Sequence, residues 1–221
     1  MIFSKDHNFL LLKNGKVGGT ALEVELSRVL PDSAIITPAT GASAEWKIKD
    51  EFYDNYNPRN YDGFWNHMSY SEIKRKINLK NINTYIFVRN PYEIVLSHFF
   101  HRLYFINKNL IWNTFDKKEK EELIYNYFEN NLGSNWHTST KHLYIHKEKI
   151  VVNDFLHYEK GIDSEINKIL TKHNIPNIQV KTITKYFKPK DIKYYDVFSK
   201  KYLDIIYNNW EWEFKYFNYE K

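Results

Sequence analysis

Cysteine is absent from the chain, which excludes disulfide bridges and thiolate metal sites. Glycine and proline are scarce, with 7 and 6 residues, so the composition is not that of a linker or a low-complexity chain. No apolar run near the N-terminus is long enough for the core of a signal peptide or for a membrane span. We therefore expect a soluble, cytoplasmic protein.

The residues that are present suit a folded domain. Hydrophobic residues make up 43% and aromatic residues 18% of the 221 residues, which is enough for a sizeable core. Because neither a linker nor an internal repeat is visible, we predict a single domain over residues 1–221. The formal net charge of +5 fits an anionic partner, although a solvated lysine-rich surface is the simpler explanation of so modest a charge.

Strand-like and helical segments alternate along the chain. Residues 9–13 form a short apolar run, and helical spacing of apolar residues follows over 20–30. Residues 84–88 are the clearest strand, and Asn90-Pro91 then suits the start of a helix over 92–105. Further helices are predicted over 42–51, 69–77, 117–130, 136–146, 161–173 and 195–207, and further strands over 33–37 and 150–152. The alternation predicts an α/β fold in which helices flank a central, mainly parallel sheet.

The turn between the first predicted strand and the first helix is a candidate phosphate loop. A turn at this place can present backbone N–H groups to a phosphate. Gly18 and Gly19 let the backbone approach closely, and Lys16 adds a positive charge. Thr20 adds a hydroxyl group. Lys16 precedes the glycines, whereas an ATP or GTP loop has its lysine after them, so the triphosphate motif is excluded.

A plain helix cap is the alternative interpretation of this turn. Thr20 and Glu23 have the spacing of a capping box, in which a hydroxyl and a carboxylate satisfy the first amides of a helix. The glycines would then only shape a tight turn. The loop alone does not decide between the two interpretations.

A second candidate phosphate element follows the clearest strand. Arg89 ends that strand, and Ser97 lies in the second turn of the next helix. Arginine presents a planar fork that suits phosphate oxygens, and serine adds a neutral donor. Because ligands of parallel sheets bind beyond the carboxyl ends of the strands, we expect Arg89 and Lys16 to share one edge. The alternative is an arginine paired with an acidic neighbour and a serine that faces solvent.

Together the two segments resemble the sulfotransferases that use 3'-phosphoadenosine 5'-phosphosulfate (PAPS). The stretch Lys16-Val-Gly-Gly-Thr-Ala-Leu22 is similar to the family's 5'-phosphosulfate loop. Arg89-Asn-Pro, with Ser97 further on, is similar to its 3'-phosphate site. The resemblance assigns donor binding to Lys16, Gly18, Gly19, Thr20, Ala21, Arg89 and Ser97.

The resemblance extends more loosely to the carbohydrate branch of that family, through residues 151–159 and 194–219. It implies a P-loop-NTPase-like three-layer domain, PAPS as donor, adenosine 3',5'-bisphosphate as product and no metal. The acceptor it implies is a hydroxyl group, in particular that of a carbohydrate. Ala21 and Ile94 depart from the family's usual residues, which puts one phosphate contact and one packing or surface contact in doubt.

His67 is the predicted general base. Sulfuryl transfer needs a group that takes the proton of the acceptor hydroxyl, and histidine suits this task near neutral pH. Residues 64–70 are similar to a stretch of the glycan 2-O-sulfotransferases in which His67 matches the proposed base and Trp65 replaces a further histidine. Lys16 is the expected catalytic cation beside the leaving phosphate. The alternatives are a capping or packing role for His67, and Glu45 as the base.

The other histidines are weaker candidates. His98 and His101 lie on the helix after Arg89 and suit packing or the surface. His137 could line an acceptor site. His142 and His146 have the four-residue spacing of zinc ligands on a helix, but the glutamate that usually accompanies them is missing from the interval.

Two other functions stay open. A divergent kinase with a P-loop-like fold would need a carboxylate for its metal, and the strand that leads to Arg89 offers none. A module that binds RNA or other polyanions is suggested by the pI of about 9.0 and by aromatic residues interleaved with lysine over 186–195. Since no recognised RNA-binding motif is present, we expect a hydroxyl-bearing acceptor as partner rather than nucleic acid.

Overall fold

The computed structural model describes residues 1–38, 56–106, 111–131, 139–181, 189 and 191–221. The chain divides into two compact units, which we call the first unit (residues 1–88 and 140–182) and the second unit (residues 89–139 and 183–221). Nothing in this division tests whether the chain behaves as one domain, so the single domain over 1–221 stays a prediction. No helix in the described part of the chain is long and apolar enough to cross a membrane.

The elements alternate along the chain as expected of an α/β protein. The strands are β1 Ile2–Ser4, β2 Phe9–Leu12, β3 Ile35–Ile36, β4 Asn83–Val88, β5 Ile145–His146, β6 Lys149–Ile150 and β7 Asp154–His157. The helices are α1 Gly19–Val29, α2 Tyr70–Lys74, α3 Pro91–Ile106, α4 Lys117–Asn131, α5 Ile162–Lys172, α6 Tyr194–Val197, α7 Lys200–Asn209 and α8 Glu211–Tyr216. Short 3₁₀ turns occur at Trp112–Thr114, Lys141–Leu143 and Tyr158–Lys160.

The first unit is built on a five-stranded sheet of order β3-β1-β2-β4-β7. β2 pairs in parallel with β4, and β4 pairs in parallel with β7. β1 runs antiparallel to both of its neighbours, β2 and β3. The protein is therefore a mixed α/β fold with a largely parallel central sheet and flanking helices, as the sequence predicts. The antiparallel strand β1 was not predicted.

The core of the first unit explains why its apolar runs form strands and helices. Every residue of β2 is buried, and so are all residues of β4 except Asn83, because the sheet is covered on both faces. Helices α1 and α5 contribute to the same core as the sheet. Its buried members include Phe9, Leu11, Leu22, Leu26, Tyr85, Phe87, Leu156, Ile166 and Leu170. The predicted strands over 9–13 and 84–88 and the predicted helices over 20–30 and 161–173 are confirmed to within a residue or two.

Residues 56–67 run from the edge of the sheet to α2 and are anchored by one arginine. The Arg59 guanidinium donates to the carbonyl oxygens of Ser27, Leu30 and Pro31 over 2.7–3.3 Å. These carbonyls lie at the C-terminal end of α1, where helical partners are missing and the helix dipole favours a cation. Arg59 also pairs with Ile36 as an isolated β-bridge, so the irregular segment is held on both α1 and the sheet.

The second unit is a group of helices around an aromatic core. Its buried residues include Tyr92, Phe99, Phe100, Trp112, Tyr127, Phe128, Phe198, Trp210 and Phe214. The predicted helices over 92–105 and 117–130 are confirmed. The predicted continuous helix over 195–207 is wrong, because Phe198 and Ser199 adopt extended conformations that separate α6 from α7.

Three further predictions need correction or fall outside the described residues. The helix predicted over 136–146 is wrong at its end, where Ile145 and His146 form β5 of a small hairpin with β6. Its turn residues Lys147 and Glu148 both have positive φ, which sequence reasoning expects of glycine or asparagine. The strand predicted over 150–152 is confirmed only at Ile150. The helix predicted over 42–51 lies outside the described residues.

Candidate active site

The candidate phosphate loop lies between β2 and α1. β2 ends at Leu12 and α1 begins at Gly19, so the loop joins a parallel strand to a helix N-terminus as predicted. Gly18 has a φ of +77°, and a Cβ atom there would lie 2.6 Å from Cδ1 of Ile162. A Cβ atom on Gly19 would lie 2.9 Å from Cε of Lys13. A side chain at either glycine would therefore displace a neighbouring side chain, and at Gly18 the positive φ disfavours any residue with a Cβ atom as well.

The capping box of Thr20 and Glu23, which was the alternative interpretation of this turn, is not formed. The N-cap residue is Gly18, which has no side chain to accept from the first amides. Glu23 does not reach back to the helix terminus. Its buried carboxylate accepts a hydrogen bond from Nζ of Lys13 and one of 3.3 Å from the Thr37 hydroxyl. Thr20 lies half-buried in the first turn of α1.

Asn14 fastens the loop to the neighbouring strand. Its side-chain nitrogen donates to the carbonyl oxygen of Phe87 in β4 over 3.2 Å, and its side-chain oxygen accepts from the amide of Gly15 over 2.7 Å. The side chain is buried, so both bonds are shielded from water. Sequence reasoning counted Asn14 only as part of a turn, although an asparagine just after a buried strand is a signal for such a local bond.

A buried ion pair lies at the base of the loop. Nζ of Lys13 donates to Oε2 of Glu23, and the two side chains are 7% and 1% exposed. The amino group of Met1 lies 3.6 Å from the other carboxylate oxygen of Glu23. Burial lowers the pKa of Lys13, while the charge of Glu23 acts in the opposite direction. Sequence reasoning missed this pair, because Lys13 reads as the polar end of a strand and Glu23 as a helix cap.

His67 is brought to the loop from a distant part of the chain. Its Nδ1 atom lies 3.0 Å from the carbonyl oxygen of Lys13. Because a carbonyl oxygen only accepts, Nδ1 carries the proton of the neutral ring and Nε2 is its basic nitrogen. The backbone of His67 has a φ of +59°, in the left-handed region that few residues other than glycine and asparagine adopt. The helix that follows is capped by Ser69, which forms a capping box with Glu72, so His67 is not its cap.

The environment of His67 favours the neutral ring. Burial lowers its pKa to about 4, and the positive charge of Lys13 acts in the same direction. The N-terminal amino group and His142 also lower the pKa of His67, by smaller amounts. The hydrogen bond with the Lys13 carbonyl raises the pKa but does not outweigh burial. His67 is thus an uncharged acceptor of protons throughout the neutral range.

The second candidate element begins with Arg89, directly after β4. Nη2 of Arg89 donates to Oε2 of Glu93 over 3.1 Å, and the two side chains are 12% and 22% exposed. The alternative of an arginine paired with an acidic neighbour is therefore realised in this structure. Ser97 is half-buried one helical turn beyond Glu93. As predicted, α3 begins at Pro91, and the Asn90 side chain accepts from the amide of Tyr92 over 2.9 Å.

The strands that lead into the two elements are parallel neighbours. β2 and β4 run in the same direction, and Leu12 lies opposite Ile86 in the register. Their carboxyl ends therefore meet at one edge of the sheet, as the prediction for Lys16 and Arg89 requires. That both side chains reach one ligand stays a prediction.

Two of the other candidate histidines, His98 and His146, form side-chain contacts within the fold. The buried His98 lies 2.9 Å from the Tyr127 hydroxyl, which confirms a packing role. His146 lies 2.7 Å from the Ser71 hydroxyl, and His142 is exposed. Across the part of the chain that the structure describes, no group of three or more histidine, cysteine, aspartate or glutamate residues could hold a metal ion. Glu45 and His137 lie outside the described residues.

Comparison with known proteins adds no assignment. No protein-family model, no curated protein and no solved structure matches the chain. The features that bear on function are therefore the loop, the histidine that is hydrogen-bonded to it and the arginine after β4.

Proposed function

We propose that the chain is a sulfotransferase that moves a sulfuryl group from PAPS to an acceptor hydroxyl. The observation that carries the proposal is the hydrogen bond between His67 and the carbonyl of Lys13. It joins a neutral histidine to the first residue of a glycine-containing loop at a helix N-terminus. An anion-binding loop and a base are the two groups that such a transfer requires.

Donor binding at the loop uses backbone and side-chain groups together. The N-terminus of α1 carries partial positive charge, and its N-cap residue Gly18 leaves the first amides without a side-chain cap. Lys16, whose backbone has a φ of +58°, adds a full positive charge within the turn. We assign the 5'-phosphosulfate to these groups and to the hydroxyl of Thr20. A P-loop-like sheet architecture is part of the same proposal.

The 3'-phosphate of the donor is assigned to Arg89 and Ser97. Both lie at the start of α3, and Arg89 already holds a carboxylate over 3.1 Å. A phosphate offers the guanidinium two anionic oxygens, whereas the contact with Glu93 uses one carboxylate oxygen. Glu93 therefore binds the Arg89 guanidinium in the absence of the donor. When the donor binds, its 3'-phosphate replaces the Glu93 carboxylate or binds beside it.

The chemical step is an in-line displacement at sulfur. His67 accepts the proton of the acceptor hydroxyl at Nε2 as the new oxygen–sulfur bond forms. The bond between sulfur and the bridging phosphate oxygen breaks, and its electron pair stays on that oxygen. Lys16 stabilises the charge that develops there. A carbohydrate hydroxyl is the acceptor that we favour, because the resemblance to the carbohydrate branch points to it.

The test is a transfer assay with donor labelled in the sulfuryl group. The purified protein is incubated with panels of glycans, phenols and small alcohols, and both labelled product and adenosine 3',5'-bisphosphate are measured. We expect both to form together with at least one acceptor class. Hydrolysis of ATP that depends on Mg²⁺, with no transfer from PAPS, would favour the kinase instead. Retention of single-stranded RNA with no transfer would favour the polyanion-binding module.

A further inference from the structure

The buried pair of Lys13 and Glu23 has no part in the reaction proposed above. Both side chains are nearly inaccessible, and removing two charges from water is costly unless they are well paired. In many proteins such a buried pair can be replaced by apolar residues of similar volume at little or no cost in stability. The location of the pair, at the base of the candidate loop, indicates what it does.

Lys13 contacts the loop and the histidine with different atoms. Its side-chain carbons lie beneath Gly19, where a Cβ atom would approach Cε to 2.9 Å and Cγ to 3.1 Å. Its backbone carbonyl accepts from Nδ1 of His67. Its ammonium group is held by Glu23, which α1 supplies from its second turn. One residue thus connects the loop, the helix and the proposed base.

We propose that Lys13 is a positioning residue for His67: its carbonyl fixes the proton on Nδ1, and its buried charge, held by Glu23, keeps the imidazole neutral. This inference rests on the function proposed above for His67. Lys13 does not touch the reacting atoms. It acts through His67, because it sets the tautomer and the charge of the ring that contacts the reacting atoms.

The charges around His67 agree with this role. Among the described residues, the Lys13 ammonium, the N-terminal amino group and His142 act on it, and each of these three groups disfavours the imidazolium. The carboxylate of Glu23 is bound to Lys13 and to Thr37 and does not pair with the ring. Burial is the largest cause of the lowered pKa, so Lys13 accounts for part of the shift. Its removal should therefore raise the pKa of His67 without restoring the full ordinary value.

The experiment measures the imidazole of His67 directly, by NMR of protein with ¹⁵N-labelled histidine. In the wild type we expect the tautomer with the proton on Nδ1 and titration near pH 4. In Lys13→Met the pKa should rise by about one unit, a tenfold change in proton affinity. Lys13→Arg, which keeps the charge, should leave the pKa low. Lys5→Met, at an exposed lysine of the same unit, is the control and should leave it unchanged.

Stability has to be separated from positioning. Lys13→Met leaves Glu23 without its cation, so Lys13→Met/Glu23→Gln is made in parallel, because it removes both charges and keeps an acceptor for Thr37. The carbonyl of residue 13 remains in the double variant, so the tautomer should not change; a folded double variant whose His67 keeps the wild-type pKa would overturn the proposal. A raised pKa in the absence of any transfer from PAPS would leave the positioning role intact and contradict the proposed function instead.

Discussion

The loop after β2 and the segment after β4 use their acidic residues in opposite ways. At the loop, Glu23 is bound by Lys13, a residue that is not expected to touch the donor. At the second segment, Glu93 is bound by Arg89, the expected ligand of the 3'-phosphate. The loop therefore holds its carboxylate as part of the scaffold. The second segment holds its carboxylate where a phosphate would have to compete with it.

Burial makes this difference larger. The Lys13–Glu23 pair is almost completely buried, so breaking it would strand a charge in the interior. The side chains of Arg89 and Glu93 are partly exposed, so their pair contributes little and weakens with added salt. The comparison leads us to expect a preformed loop, and a second segment that exchanges its partner when an anion binds.

If the preformed loop carries the catalytic charge, Lys16→Ala has the largest effect of any substitution considered. Loss of a cation at a developing negative charge should lower the turnover number about 100- to 1000-fold. The measurement is steady-state transfer from PAPS to the best acceptor. Lys5→Ala is the matched control, since Lys5 is an exposed lysine of the same unit, and its turnover should stay within twofold of the wild type. Equal turnover in both variants would remove Lys16 from the site.

His67→Asn comes next, with an expected loss of about 100-fold in turnover. Asparagine is chosen because it tolerates the positive φ of this position better than alanine does. Binding of adenosine 3',5'-bisphosphate should change less than threefold, because His67 acts on the acceptor. Unchanged turnover would exclude His67 as the base and make Glu45 the first residue to substitute.

The same variant tests the electrostatics of His67 through stability. In the unfolded chain the ring takes up a proton below its ordinary pKa of 6.5, while the folded protein resists protonation down to about 4. The free energy of unfolding should therefore fall as the pH drops from 6.5 to 4, by at most about 3 kcal/mol from this group. In urea unfolding, the free energy of unfolding of His67→Asn should fall less steeply with decreasing pH than that of the wild type. The same slope in both proteins would mean that the folded pKa of His67 is not lowered.

A pair of glycine substitutions tests whether packing preforms the loop. Gly18 and Gly63 have φ values of +77° and +75°, so alanine costs the same backbone strain at both. Only at Gly18 does the new Cβ atom meet a side chain within 3 Å, namely that of Ile162. Gly18→Ala should be less stable than Gly63→Ala by about 1–3 kcal/mol in urea unfolding. Equal losses would show that the backbone conformation alone demands glycine.

The smallest expected effect concerns the ion pair of Arg89 and Glu93. Glu93→Gln removes the competitor of the phosphate, so adenosine 3',5'-bisphosphate should bind about two- to fivefold more tightly, as titration calorimetry would measure. Glu211→Gln is the control, because Glu211 likewise pairs with a cation four residues away in the same unit, namely Lys215. Weaker binding in Glu93→Gln would mean that the carboxylate positions Arg89 rather than competing for it.

The comparison also shows what the sequence could predict. The course of β2, loop and α1 follows from an apolar run, a glycine pair and helical spacing, and it is confirmed to within a residue. The start of α3 follows from Asn90 and Pro91. These signals are local, since each depends on the conformations that neighbouring residues allow.

The rest depends on contacts between distant residues. The pairing of Lys13 with Glu23 and the bond of Lys13 to His67 join separate elements, and no spacing in the sequence encodes them. The break between α6 and α7 was missed for a similar reason, because helical periodicity continues through Phe198 while its side chain is buried in the core. The antiparallel strand β1 was missed because three residues carry too little periodic pattern.

Titration calorimetry with two ligands tests the central claim most directly. Adenosine 3',5'-bisphosphate and adenosine 5'-monophosphate differ only in the phosphate that we assign to Arg89. The wild type should bind the bisphosphate about 10- to 100-fold more tightly than the monophosphate, and Arg89→Ala should abolish most of this preference. The absence of any bisphosphate binding, or equal bisphosphate binding by the wild type and Arg89→Ala, would contradict the donor site proposed for this protein.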